Sequence, residues 1–196
     1  DGFVVGDDTG RETGLTLPRD GRFDGGVVHV VASMQTEHFT PAERQRFTET
    51  QFSRDPRANR VGVRMDHQGG GFHAEGGLTI LSEVIVPGDI QITGDGAPFV
   101  LMGECQTTGG YPRIGTVIPS DIPRVAQAAA GAPIMFKFLS LAEAITLEIR
   151  HRDAIHALRG QVKPLIRDPR QIRNLLLYQL VGGTVSAWDD PFEKDK

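Results

Sequence analysis

The run SEVIVPGDIQITGDGAPFVLMGECQTTGGYPRIGT, Ser82–Thr116, decides how the chain is read. An apolar strand candidate, Phe99–Met102, sits between two polar, glycine-bearing clusters, Pro87–Gln91 and Gln106–Pro112. Within it, Thr93–Ala97 (TGDGA) carries the Asp-Gly pair that suits a tight hairpin. Period-two alternation across Asp89-Ile90-Gln91-Ile92 sends the isoleucines to one face and the polar pair to the other, toward solvent or a ligand. Gln, two Thr, two Gly, Tyr and Pro in succession are a costly way to fill a core, because buried polar groups must be paired. That cluster reads either as a ligand-facing surface or as a tight turn in which Pro112 holds Tyr111 extended.

Further strand candidates lie on both sides: Val27–Ala32, Arg60–Met65, Leu78–Val86, Ile90–Thr93, Arg113–Ile118 and Ile134–Leu139. Short strands at close spacing, broken by Gly and Pro, predict a mainly β fold, a closed barrel or a sandwich. Helix starts are few. Thr40-Pro41-Ala42-Glu43 predicts a short helix ending near Phe52, and Ser140-Leu141-Ala142-Glu143 a longer one reaching about Val162. Ser120 is a candidate cap for a helix over Ser120–Ala130, and Asp168 for one in the tail. The expected organisation is a lead-in over 1–26, a barrel domain over 27–162 and a helical appendage over 163–196.

Composition excludes several classes. The 196 residues carry 21 Lys and Arg against 25 Asp and Glu, a net charge of −4, with no block of one sign, so no nucleic-acid partner is expected. No apolar run is long enough to span a membrane, and no signal peptide opens the chain. Cys105 is the lone cysteine, which rules out an internal disulfide and suits the cytoplasm. It follows no basic neighbour that would activate a thiolate, so an inert thiol is expected. The histidines His29, His38, His67, His73, His151 and His156 show no metal-ligand spacing, and no metal site is expected. The glycine cluster lacks the closing Gly-Lys-Ser/Thr of a nucleotide-hydrolase phosphate loop. Because the chain begins at Asp1 rather than Met, it reads as part of a longer one.

Candidate ligand contacts are Gln91, Gln106, Thr107, Thr108, Gly109, Gly110 and Tyr111, expected to meet over one mouth of a barrel, with Arg64 and Arg113 as candidate anion clamps. Each glutamine offers a donor and an acceptor, matching an amide or ureido edge, and a guanidinium can grip a carboxylate bidentately. Arg60 lies four residues from Arg64, on the same side of a strand. Glu75, Glu83 and Glu104 are acid or base candidates without a diagnostic spacing, and no catalytic residue is assigned.

Four stretches carry a family resemblance: Asn59–Met65 (NRVGVRM), Leu81–Gln91 (LSEVIVPGDIQ), Gly94–Leu101 (GDGAPFVL) and Gln106–Val117 (QTTGGYPRIGTV), with Ser120–Gln127 (SDIPRVAQ) also fitting. They resemble the carboxyltransferase-like family that holds the C-type subunit of 5-oxoprolinase, KipA, allophanate hydrolase subunit 2 and the matching domain of urea carboxylase. The resemblance covers roughly Val27–Val162 and implies a cyclophilin-like closed β-barrel with a few helices, without implying prolyl isomerase activity. It implies one component of an ATP-consuming, amide-processing assembly, above all 5-oxoprolinase, inactive as this segment alone. The implied partner is a KipI-like protein, similar to the B-type subunit of 5-oxoprolinase, and the implied substrate a small amide or carboxylate. No cofactor is expected to bind the segment directly. ATP serves the assembly, and biotin belongs only to the urea carboxylase-type reading. A KipA-like regulatory module that captures its partner is the alternative. The sequence departs from the family in lacking most of the N-terminal portion, and Cys105 stands where members carry a charged or small residue.

Overall fold

The structure, a computed structural model, describes residues 14–77 and 80–165 together with Gly2 and Gly6. Two units separate. In one, β1 (Leu15–Thr16) pairs antiparallel with Lys163–Pro164. The other runs from Pro18 to Gln161 and holds everything discussed below.

Chain order in the larger unit is β2 (Gly26–Val31), α1 (Pro41–Glu49), β3 (Phe52–Arg54), β4 (Gly62–His67), β5 (Glu83–Val84), β6 (Asp89–Ile92), β7 (Pro98–Leu101), β8 (Thr108–Gly109), β9 (Arg113–Val117), α2 (Ile122–Gln127), β10 (Ile134–Phe138) and α3 (Leu141–Ala157). Seven strands close a barrel in the order β10-β2-β9-β6-β7-β4-β3, the circle completed where Ile134 of β10 faces Phe52 of β3. Only β2 and β10 run parallel, with Val28 opposite Phe136. The other ladders of the barrel are antiparallel.

Alternation sets the faces. Val28, Val30, Val63, Met65, Ile90, Ile92, Val100 and Ile114 join one buried core. Phe47, the buried residue of α1, anchors that helix to the barrel by stacking on Phe136 at 4.9 Å, with Phe52 and Phe72 at 5.3 and 5.5 Å. The TGDGA hairpin forms as expected between β6 and β7: Thr93 N–H donates to Ala97 O, and Gly96 takes φ +78°. Any Cβ on Gly96 would lie 2.6 Å from Gly71 Cα, so glycine is required there twice over. Both capping expectations for α1 and α3 are met: Thr40 accepts from Glu43 N–H, and Ser140 with Glu143 forms a reciprocal capping box.

Four expectations change. The expected strand over Leu78–Val86 reduces to Glu83–Val84, because Leu81 and Val84 are 90% and 70% exposed and have no core to face; residues 78 and 79 lie outside the described set. Phe52, expected at a helix end, opens a strand too short to show a period. Ser120 does not cap: its N–H donates to Glu148, the helix starts at Ile122, and the Asp121 carboxylate at the N-cap position is turned to His29 instead. The helical appendage begins with extended residues, Lys163–Pro164 (β11), and the Asp168 cap falls outside the described residues.

Candidate functional site

The alternation that buries Ile90 and Ile92 turns Asp89 and Gln91 to the outer wall of the barrel, beside β9. A bulge between Ile90 and Gln91 shifts register, so that Asp89 faces Thr116 while Gln91 faces Arg113. This wall is not bare. The chain leaves the barrel before β6 and again after β7, and the two excursions pair as the ribbon β5–β8, with Glu83 opposite Gly109 and Val84 opposite Thr108. Ile85 N–H to Thr107 O and Ile80 N–H to Gly110 O extend the pairing. The polar face that could equally have met solvent is therefore covered: Asp89 is 1% and Gln91 7% exposed.

Arg113 organises what lies beneath. Its backbone N–H and Nε both donate to Gln35 Oε1, at 2.9 and 3.2 Å. Nη1 donates to Val84 O at 2.9 Å and Asp89 Oδ2 at 3.2 Å, and Nη2 donates to Glu83 Oε2 at 2.7 Å. Asp89 Oδ1 accepts from Thr116 Oγ1 at 2.6 Å, and Oδ2 also accepts from Val86 N–H. Gln35 Nε2 donates to the same Glu83 oxygen at 2.7 Å. The result is a charge-assisted lattice in which a half-exposed carboxylate, Glu83, is held by two donors on one oxygen.

The lattice revises the anion-clamp expectation for both arginines. The Arg113 guanidinium is consumed internally and positions Glu83. Arg64 lies in the same lateral row, Arg64–Phe99–Gln91–Arg113, but Phe99 intervenes and Arg64 pairs with Asp95 at 2.7 Å and Asp66 at 3.4 Å. Arg60 lies before β4 and pairs with Glu104.

The remaining candidates do come together, on the outer wall rather than over a barrel mouth. Gln106, Thr107 and Thr108 are exposed along the ribbon, Gly109 and Gly110 are half-buried, and Tyr111 is 42% exposed. Gly109 lies directly over the Gln91 amide: a Cβ there would come within 2.4 Å of Gln91 Nε2. That nitrogen is buried and has no hydrogen-bond partner among the described residues. A buried donor left unpaired costs about 1–3 kcal/mol. Gln35 was missed in the sequence; a polar Ser-Met-Gln-Thr directly after an apolar strand was the available signal, and Ser33 and Thr36 indeed tie that turn to the Arg113 and Ile114 carbonyls. Cys105 is half-buried, and desolvation, followed by the Asp89 charge, pushes its thiol pKa up. Among the described residues no three His, Cys, Asp or Glu groups assemble as a metal cage.

The family model described as "Carboxyltransferase domain, subdomain A and B" matches residues 7–138, a span that contains the whole lattice and the ribbon. The chain belongs to that family. Among curated relatives, the C-type subunit of 5-oxoprolinase from Escherichia coli is 34% identical over 121 residues, 62% of this chain and 38% of that protein. The Haemophilus influenzae protein of the same name is 30% identical over 133 residues, 68% of this chain and 42% of that protein. The chain thus spans about two fifths of the length of these relatives. Among solved structures, K. lactis urea amidolyase superposes with a TM-score of 0.58 at 20% identity, covering 74% of this chain and 10% of that one, a likeness of fold.

Proposed function

We propose that this carboxyltransferase-family segment serves the C-type subunit of a 5-oxoprolinase, one component of an assembly that spends ATP to open 5-oxoproline to glutamate in the cytoplasm. The observation that carries the reading is the half-exposed Glu83 carboxylate, fixed by Arg113 and Gln35 on a ribbon strand that pairs with the exposed Thr107–Thr108 edge. A lactam such as 5-oxoproline presents a ring N–H to a carboxylate and a carbonyl oxygen to amide or hydroxyl donors, and this ribbon carries both kinds of group. Gln106 and the Thr107 and Thr108 hydroxyls supply further directed contacts along the ribbon. Sites that hydrogen-bond a buried ligand reject analogues lacking the matching group strongly. The ureido ring of biotin presents a similar edge, so biotin belongs to the urea carboxylase-type reading. ATP consumption is assigned to the assembly, since the glycine cluster here lacks the Lys and Ser/Thr of a phosphate loop.

A KipI-like partner, similar to the B-type subunit of 5-oxoprolinase, fits the second feature of the surface. Leu141, Ile145 and Ile149 on α3 are 69%, 52% and 44% exposed, and they line an apolar groove with Val86 and Pro87. Such a patch supports association, and it equally supports the KipA-like alternative, in which capture of the partner is the whole function.

The test is ATP hydrolysis by the full-length protein combined with its partner proteins, with 5-oxoproline as the stimulus. Turnover is expected, and Gln106→Ala should lower it at least tenfold while the complex still forms. A complex that assembles but shows no 5-oxoproline-dependent hydrolysis would replace the enzyme reading with the regulatory one.

A further inference from the structure

A second polar site lies elsewhere on the barrel unit and shares no residue with the Gln91–Arg113 lattice. A cleft of about 330 Å³ opens between the turn before β2, the entry to α2 and the body of α3. Its charged lining is Asp20, Arg22, His29, Asp121, Arg124, Arg150 and His151.

Pairing inside the cleft is asymmetric. Arg22 is neutralised by Asp20 at 2.5 Å, and this contact holds the Asp20 carboxyl down at about 2. Asp121 Oδ2 accepts both the backbone N–H and Nδ1 of His29, each at 2.8 Å. A carboxylate only accepts, so His29 Nδ1 carries the proton and Nε2 is the ring nitrogen left for the cleft. Both acids are thereby used. Arg124, Arg150 and His151 form no ion pair among the described residues. Arg124 Nη1 donates to the Gly21 and Gly25 carbonyls, which fixes the side chain, yet its Nε–H is buried and finds no partner among the described residues. A buried guanidinium N–H costs free energy unless something accepts from it.

We propose that this cleft binds a phosphate group, free or as a small phosphate monoester. Arg124 and Arg150 line it without an ion-pair partner among the described residues, and a planar guanidinium matches phosphate oxygens in pairs. His29 and His151 line the same cleft. A phosphate offers oxygens to two guanidiniums at once, which a small monocarboxylate does not.

The experiment titrates the 196-residue chain with inorganic phosphate, followed by calorimetry and by the imidazole C–H resonances of His29 and His151. Saturable binding that moves both resonances is expected. Arg150→Glu should weaken it at least tenfold, because Arg150 is exposed and supports no hydrogen bond of the fold among the described residues. Arg60→Glu makes the same charge change outside the cleft, at an exposed side chain, and should leave affinity unaltered. Acetate at equal concentration should not displace phosphate. Absence of saturable binding, full affinity in Arg150→Glu, an equal loss in Arg60→Glu, or displacement by acetate would each overturn the proposal. The result is independent of 5-oxoproline turnover, so the two readings fail separately.

Discussion

Removing the Arg113 guanidinium would strand Asp89, which is 1% exposed, and would free Glu83, Gln35 and Val84 O at the same time. Breaking a buried pair from one side costs about 3–5 kcal/mol, mainly through the uncompensated charge left behind. Arg113→Ala is therefore expected to lose about that much in urea unfolding, and Arg113→Lys less, since an ammonium restores the charge but not the fork. A loss below about 1 kcal/mol in Arg113→Ala would show that the lattice is not the support described here. Gly109→Ala probes the contact above Gln91. Its methyl meets Gln91 Nε2 at 2.4 Å and Ile85 Cδ1 at 3.1 Å, so the ends of these side chains, or the ribbon that carries Ile85, must shift. Hydrogen exchange at Ile85 N–H, which donates to Thr107 O, should accelerate, while exchange in β4 and β7 stays slow. The alternation placed Gln91 on the polar face but left open whether that face met solvent or the Gln-Thr-Thr-Gly-Gly cluster; the ribbon pairing of Glu83 with Gly109 decides it. The engagement of Arg113 was not readable, because its partners Asp89, Glu83 and Gln35 lie 24, 30 and 78 positions away and nothing local announces them.

At the scale of elements, α3 begins with a complete capping box, and Ser140→Ala should cost about 1 kcal/mol by thermal or urea unfolding. The hairpin between β6 and β7 carries a pH signature. Asp95 is held at about 2, below its ordinary 3.8, first by the Thr93 hydroxyl and then by Arg64. The unfolded chain takes up this proton at higher pH than the native one. The stabilisation is thus complete above about pH 4 and disappears as the pH falls toward 2. Solvent exposure keeps it modest. Asp95→Asn should therefore be less stable than the parent protein at neutral pH, with the gap closing between about pH 4 and pH 2. A gap that persists unchanged at the acid end would contradict the assignment. The Thr40 and Ser140 caps and the Asp-Gly turn were legible because their chemistry is local. The strand Phe52–Arg54 was not, because three residues show no period, and the apolar letters of Leu81 and Val84 misled because they face outward.

At the scale of the molecule, many short strands left a barrel and a sandwich open and the family resemblance implied the barrel, while the parallel pair β2 with β10 joins segments about a hundred residues apart that no local pattern could match. The chain belongs to a carboxyltransferase family and spans 38% and 42% of the length of its curated relatives. We propose that the ribbon wall, with Gln91 under Gly109 and Glu83 held by Arg113, is where an amide substrate is read. The most direct measurement is a crystal structure of the full-length assembly with 5-oxoproline bound. The account expects the lactam within hydrogen-bond distance of the Gln91 amide or the Gln106–Thr108 edge, with Glu83 facing its ring N–H. A lactam bound with no atom near this ribbon would contradict it.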